Sequence, residues 1–343
     1  MSSSVSFPSP VGGVSLSSDF GPSIFFAILY ALLLPIFFVR LASKRSRAIL
    51  SVNAVLTAFE RVVIFSLRAW QSQTPAKQSS PGLATYMQLT FALAYIAVAS
   101  DTVQLLRCLY VNSTKGPALE HVDIIDSPVG STSSSQIPLS PARANSPYSL
   151  DDGALQFDQP RQRFFYRRFT DILKLVFLAA TLPGIVGNAK YKNSFDNAGT
   201  GNEVLITRYV SSGIALALIV FVATLIIRAR HLPRVRPIHV IFILAILACT
   251  ASSAIFRLAF MYHHTTSLTS TAPGSGNTPL EKTTFYVFHM FSDWMAAALL
   301  LVPNVREMFA TGMWGDWRAM DPSPQELAWA RKRKESKARR EMA

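Results

Sequence analysis

The chain has 343 residues, of which half are apolar and 15% charged, with a formal net charge of +13 and a mean hydropathy of +0.28. A soluble domain carries about a quarter charged residues, so these figures exclude an ordinary cytosolic enzyme and a disordered chain. The apolar residues fall in blocks close to the about 20 residues needed to cross a bilayer, which is the pattern of a polytopic membrane protein.

In chain order, the first segment is a polar tail, 1–22, expected outside the membrane. No Lys or Arg precedes the first apolar block. The basic start of a cleavable signal is therefore missing, and that block is read as a retained span. Three spans follow within 23–110, over about 24–39, 50–69 and 84–109. The segment 111–165 is rich in Ser and Pro and reads as a disordered cytoplasmic loop. Its Ser-Pro pairs at Ser127, Ser140 and Ser146 suit either proline-directed phosphorylation or a plain linker.

Four more spans fall within 166–308, over about 172–187, 204–227, 238–262 and 285–302. The first of these is the weakest, being short and interrupted by Pro183-Gly184. A basic tail, 309–343, closes the chain. In it Ser323, Pro324 and Glu326 fit a helix start, and the lysines and arginines beyond suit an anionic leaflet. Continuous apolar runs rather than alternating strands make every span a helix. The expected fold is all-α, a polytopic seven-helix transmembrane bundle.

Charge sets the orientation. Of the 33 Lys and Arg residues, 24 fall on the side of the tail and 4 on the opposite side. This bias expects the N-terminus outside and the C-terminus in the cytosol, which requires an odd number of spans. The net charge is then a membrane-topology signal, and nucleic acid is not an expected partner. The plasma membrane is favoured over an internal membrane.

Charged side chains within spans are costly and point to sites. Arg257, His289, Asp293 and Arg208 are expected at one depth in the outer half, with Glu60 near mid-span able to pair with either layer or with its neighbour Arg61. His289 and Asp293 are four residues apart and so share a helix face. Asp101 and Lys174 form an expected inner polar pair. The outer cluster reads either as a polar cavity for an amphipathic ligand or as buried pairs that fix packing.

No enzyme, cofactor or metal is expected. The sequence has no Walker, Gly-x-Ser-x-Gly or His-Glu-x-x-His motif, span seven has no core lysine, and Cys108 and Cys249 are expected at different depths.

Seven spans with an outside N-terminus is the topology of G-protein-coupled receptors. Leu106-Arg107-Cys108 has the Arg but not the Asp and Tyr of their span-three motif, and Pro303-Asn304-Val305-Arg306 is not Asn-Pro-x-x-Tyr. The layout resembles fungal seven-span proteins, either receptor-like or of the lipid-translocating exporter-like family linked to resistance against amphipathic toxins. Phe256-Arg257 resembles that family's aromatic-Arg step, and Glu281 and Tyr286 resemble the Glu and Tyr before its last span. Ser253, Phe260 and His289 depart from it, standing where an Arg, a Glu and an Asp would be. The resemblance implies a non-enzymatic protein that handles or exports amphipathic molecules or lipids. A receptor signalling through its cytosolic loops to a cytosolic partner is the alternative.

Overall fold

The computed structural model describes residues 5–43, 46, 52–115, 158–312, 315–316, 318 and 320–321, with 325, 329, 332, 336 and 339 of the tail. The Ser-Pro pairs, most of the Ser-rich loop and the predicted tail-helix start at Ser323, Pro324 and Glu326 lie outside the described residues.

The protein is a helical bundle. Helices α1 (Phe20–Ala31) and α2 (Leu33–Ala42) run on from each other, then come α3 (Val52–Ser72) and a short α4 (Pro75–Gln78). The long helices α5 (Pro81–Ser113), α6 (Pro160–Ala189), α7 (Ala198–Ala229) and α8 (Pro237–Phe260) follow. The last transmembrane rod joins α9 (Pro279–Thr284), a π-helix over Phe285–Phe291 and α10 (Ser292–Leu301), and α11 (Val305–Met308) follows it. Among the described residues, six helical stretches are long and apolar enough to cross a membrane: Ser17–Ala42, α5, α6, α7, α8 and Pro279–Leu301. Large apolar side chains such as Phe25, Phe38, Ile172, Leu175 and Ile241 face outward, as a bundle in lipid requires.

The helix α3 has 21 residues but carries Glu60, Arg61 and Arg68, which dilute its apolar character. It packs between α1, α5 and α10. Helix α6 also departs from expectation, being one continuous helix of 30 residues through Pro183. The neighbouring helix α7 contacts it there: Ser211 Oγ donates to the Ala180 carbonyl at 2.7 Å, next to the Ala179 carbonyl that Pro183 leaves without its helical donor. Gly184 and Gly187 remove the side chains that would meet Ser211 and Thr207 of α7, so the two helices approach closely.

Hydrogen bonds and ion pairs gather the Arg-rich chain segments at one end of the bundle. Arg40 donates to the carbonyls of Val302 and Pro303, Asn112 to Phe309 and Arg234 to Lys115. Arg107, Arg163 and Arg167 form ion pairs with Asp171, Asp158, Asp316 and Asp321, which fasten the start of the tail onto α5 and α6.

The opposite end is closed by the segment expected as a free polar tail. Phe7 to Ser15 is buried throughout. Strand β1 (Phe7–Pro8) pairs antiparallel with β2 (His264–Thr265). Gln88 of α5 accepts from Val11 N–H and donates to Val11 O, both at 3.0 Å, reproducing a strand's hydrogen bonds with one side chain. Gly12 and Gly13 take φ of +78° and +59°, and a Cβ on Gly12 would lie 2.5 Å from the Phe285 ring. Only glycine adopts that backbone cheaply and leaves that room. The expected separate outer tail is therefore a plug built into the bundle.

Candidate functional site

Under the plug lies a layer of ion pairs that sequence patterning did not bring together. Asp19 accepts from Tyr286 Oη at 2.9 Å and from Lys282, and its carboxylate is 3.5 Å from Arg68. Arg68 also donates to Gly12 O at 3.2 Å and Lys282 to Val14 O at 2.8 Å. Backbone carbonyls of the plug thus share two cations with Asp19. Glu281 has a different task. It closes a capping box with Thr278 and accepts from Gly274 and Gly276 N–H, shaping the turn before the last span.

Deeper in, an aromatic collar of Phe91, Tyr95, Phe256 and Phe285 surrounds His289, with ring centroids 5.6 to 6.3 Å from the imidazole. The π-helix explains how His289 gets there. Its wider turn rotates Phe285, Tyr286, His289 and Met290 inward, and Ser252 and Ser253 of α8 donate to the carbonyls of Phe288 and His289. π-Helical turns cluster at functional sites.

Beneath the collar, Arg61 grips Asp293. Its Nε and Nη2 lie 3.1 and 2.7 Å from Asp293 Oδ2, and both side chains are 0% exposed. The Arg61 guanidinium also sits 4.9 Å from the Phe91 ring centre. Arg257 is fully buried in the same region, beside Tyr95, whose hydroxyl meets Ser212 at 3.3 Å. Arg61, His289, Asp293 and Arg257 therefore come together from α3, the last rod and α8.

Two expected members stand apart. Arg208 is buried but engaged, donating to Asn188 at 2.9 Å and lying 4.3 Å from the Tyr191 ring centre. Glu60 is half-buried and makes no ion pair among the described residues. Its neighbour Arg61 takes the partner instead, because adjacent helix positions diverge by about 100°. The expected inner pair makes no direct ion contact. Asp101 is bonded by Asn53 Nδ2 at 2.8 Å and by Ala54 N–H at 3.1 Å, while Lys174 is exposed and forms no ion pair with it. Two donors at the start of α3 satisfy the carboxylate more closely than a side chain that extends outward.

Several polar atoms of this chamber have no hydrogen-bond partner among the described residues: Arg257 Nε and Nη1, both His289 nitrogens, Arg61 Nη1 and Asp293 Oδ1. Two buried guanidinium groups, Arg61 and Arg257, share this region with one buried carboxylate, Asp293. Buried polar atoms without partners are rare and costly, and here the surplus charge is positive. The unpartnered N–H groups there can donate to a group that accepts hydrogen bonds and carries negative charge. Comparisons with protein-family models, with curated proteins and with solved structures each return no match.

Proposed function

We propose that this integral membrane protein handles or exports amphipathic small molecules or lipids, taking an anionic head group into the chamber formed by Arg257, His289, Arg61 and Asp293. The observation that carries this reading is Arg257, a buried cation with two unpartnered N–H groups next to an unpartnered imidazole. The fungal exporter-like resemblance, carried by Phe256-Arg257 and Tyr286, points the same way.

In this reading α3 is a seventh span. Its 21 residues give a length of about 31 Å, the thickness of the hydrocarbon core. It also runs from Asn53, bonded near the Arg-rich end, to Arg68, bonded to the plug. Seven spans and the positive-inside bias then put the plug outside and the Arg-rich end in the cytosol.

The test is growth of yeast expressing the chain under a panel of amphipathic toxins, with Arg257→Gln as the decisive variant. Gln removes a buried charge that has no dedicated carboxylate, so the variant folds with undiminished stability while resistance is lost. Resistance equal to wild type in a well-expressed Arg257→Gln protein overturns the proposal.

One observation favours the receptor reading. The ion pairs of Arg107, Arg163 and Arg167 link α5 and α6 to the tail, which would carry movement in the bundle to a cytosolic partner. That reading expects nucleotide exchange on a G protein, or kinase recruitment, that changes when Asp316 and Asp321 are replaced by Asn. An inner surface inert to both in wild type removes it.

A further inference from the structure

A cavity lined by other residues than the polar chamber lies between α3, α5 and α6 and has a volume of about 580 Å³. Its walls are graded. Asn53, Ser100, Asp171 and Lys174 form the part toward the Arg-rich end, and Ile96, Phe177 and Leu178 line the part toward mid-membrane. Leu175 and Leu178 of its rim are among the exposed apolar side chains, so the cavity opens sideways to lipid. From Asp171 to Thr181, both lining residues, the helix rises about 15 Å. That is half the hydrocarbon core, the depth of one leaflet.

Charge decides the head group. Asp171 is ion-paired with Arg107, which it shares with Asp316. Asp101 lies within electrostatic range of Lys174 but is held by Asn53 and Ala54. Lys174 is exposed and makes no hydrogen bond or ion pair among the described residues. It stands seven residues from Arg167, about 10 Å along the helix, so its flexible stem reaches the head-group layer. A free ammonium at that level, above an apolar slot that reaches about 10 Å further along the helix to Thr181, matches a phosphate joined to an acyl chain.

We infer that this cavity is a binding site for an anionic glycerophospholipid of the leaflet at the Arg-rich end, with the phosphate on Lys174 and one acyl chain against Ile96, Phe177 and Leu178. The inference is independent of the polar chamber and of what that chamber binds.

The test uses the full chain reconstituted in nanodiscs of phosphatidylglycerol and phosphatidylcholine in equal parts, released into mild detergent and weighed intact by native mass spectrometry. Wild type retains one phosphatidylglycerol in preference to phosphatidylcholine. Lys174→Gln lowers that preference about fivefold, the factor expected for one lysine charge at an anionic surface, and Lys174→Arg keeps it. Ala97→Phe, which fills the apolar slot, lowers retention of both lipids. Each variant is checked for a monodisperse elution profile beforehand, and Leu178→Trp replaces Ala97→Phe should the latter aggregate. Equal retention of the two lipids by wild type, an unchanged preference in Lys174→Gln, or undiminished retention in the slot-filling variant overturns the inference.

Discussion

At the scale of single residues, Asp293 is ion-paired with Arg61, and Arg257 lies within electrostatic range of the same carboxylate without touching it. Asp293 and Arg257 therefore respond oppositely to removal. Asp293→Asn leaves two buried cations without a counter-charge, and the expected loss of stability is about 3–5 kcal/mol, read as a lower melting temperature of the purified protein. Arg257→Gln relieves a surplus charge and leaves the melting temperature equal or raised. A pair of variants that both destabilise by the same amount would show that Arg257 is a structural partner of Asp293 rather than a binding group.

Most of the chamber was legible in the sequence, because a charge inside an apolar run marks itself whatever its environment. His289, Asp293 and Arg257 were found that way, and four-residue spacing placed the first two together. The partner of Asp293 was not legible. Glu60 and Arg61 are adjacent, and choosing between them needs the rotation of α3, which an apolar pattern diluted by three charges does not define.

At the scale of elements, close packing of α6 on α7 depends on Gly184 and Gly187. A methyl group at either position would overlap Ser211 or Thr207. Gly187→Ala is expected to cost about 1–3 kcal/mol through overpacking. Combining it with Thr207→Ala should return part of that loss, measurable as non-additive melting temperatures. Helix α6 also shows where sequence reasoning stopped short. Pro183-Gly184 reads as an interruption when the helix stands alone, yet the hydroxyl of Ser211 and the small glycine surface belong to a contact with α7.

The tail attachment is the electrostatic counterpart. Burial pushes the Asp321 carboxyl up, but hydrogen bonds from Arg163 and Arg167 outweigh it and hold the group below the usual carboxylate range. A depressed value means that the stabilisation is fully present above the ordinary aspartate value of about 3.9. It is lost as pH falls through the still lower folded value. Protection of Asp316 and Asp321 from amide exchange should therefore persist from neutral pH to about pH 4, and Asp321→Asn should abolish it even at neutral pH. Exchange in the variant as slow as in wild type would detach the tail's order from these ion pairs.

At the scale of the whole molecule, the bundle has a plugged end and an Arg-rich end, and the proposed orientation puts them on opposite faces of the membrane. In a background with Cys108 and Cys249 replaced by Ala, a cysteine at exposed Ser18 should react with an impermeant maleimide on intact cells. One at exposed Arg318 should react only after permeabilisation. The reverse pattern would invert the topology. The helical membrane character could be read from block length and composition. The plug could not, since 7–14 has neither charge nor a helical period. Its partners Asn277 and Lys282 lie more than 260 residues away in the chain.

That separation has a consequence for biogenesis. The plug is synthesised before any span, but Asn277, Lys282 and Phe285, which seat it, emerge with the last rod. It must wait unseated until nearly the whole chain has been made. Throughout that interval Asp19 and Arg68 lack Lys282, and their charges are not yet committed to it. Sealing of this end is therefore the closing step of assembly, so bulky cargo fused just ahead of Phe7 would leave every span inserted and the protein still unfinished.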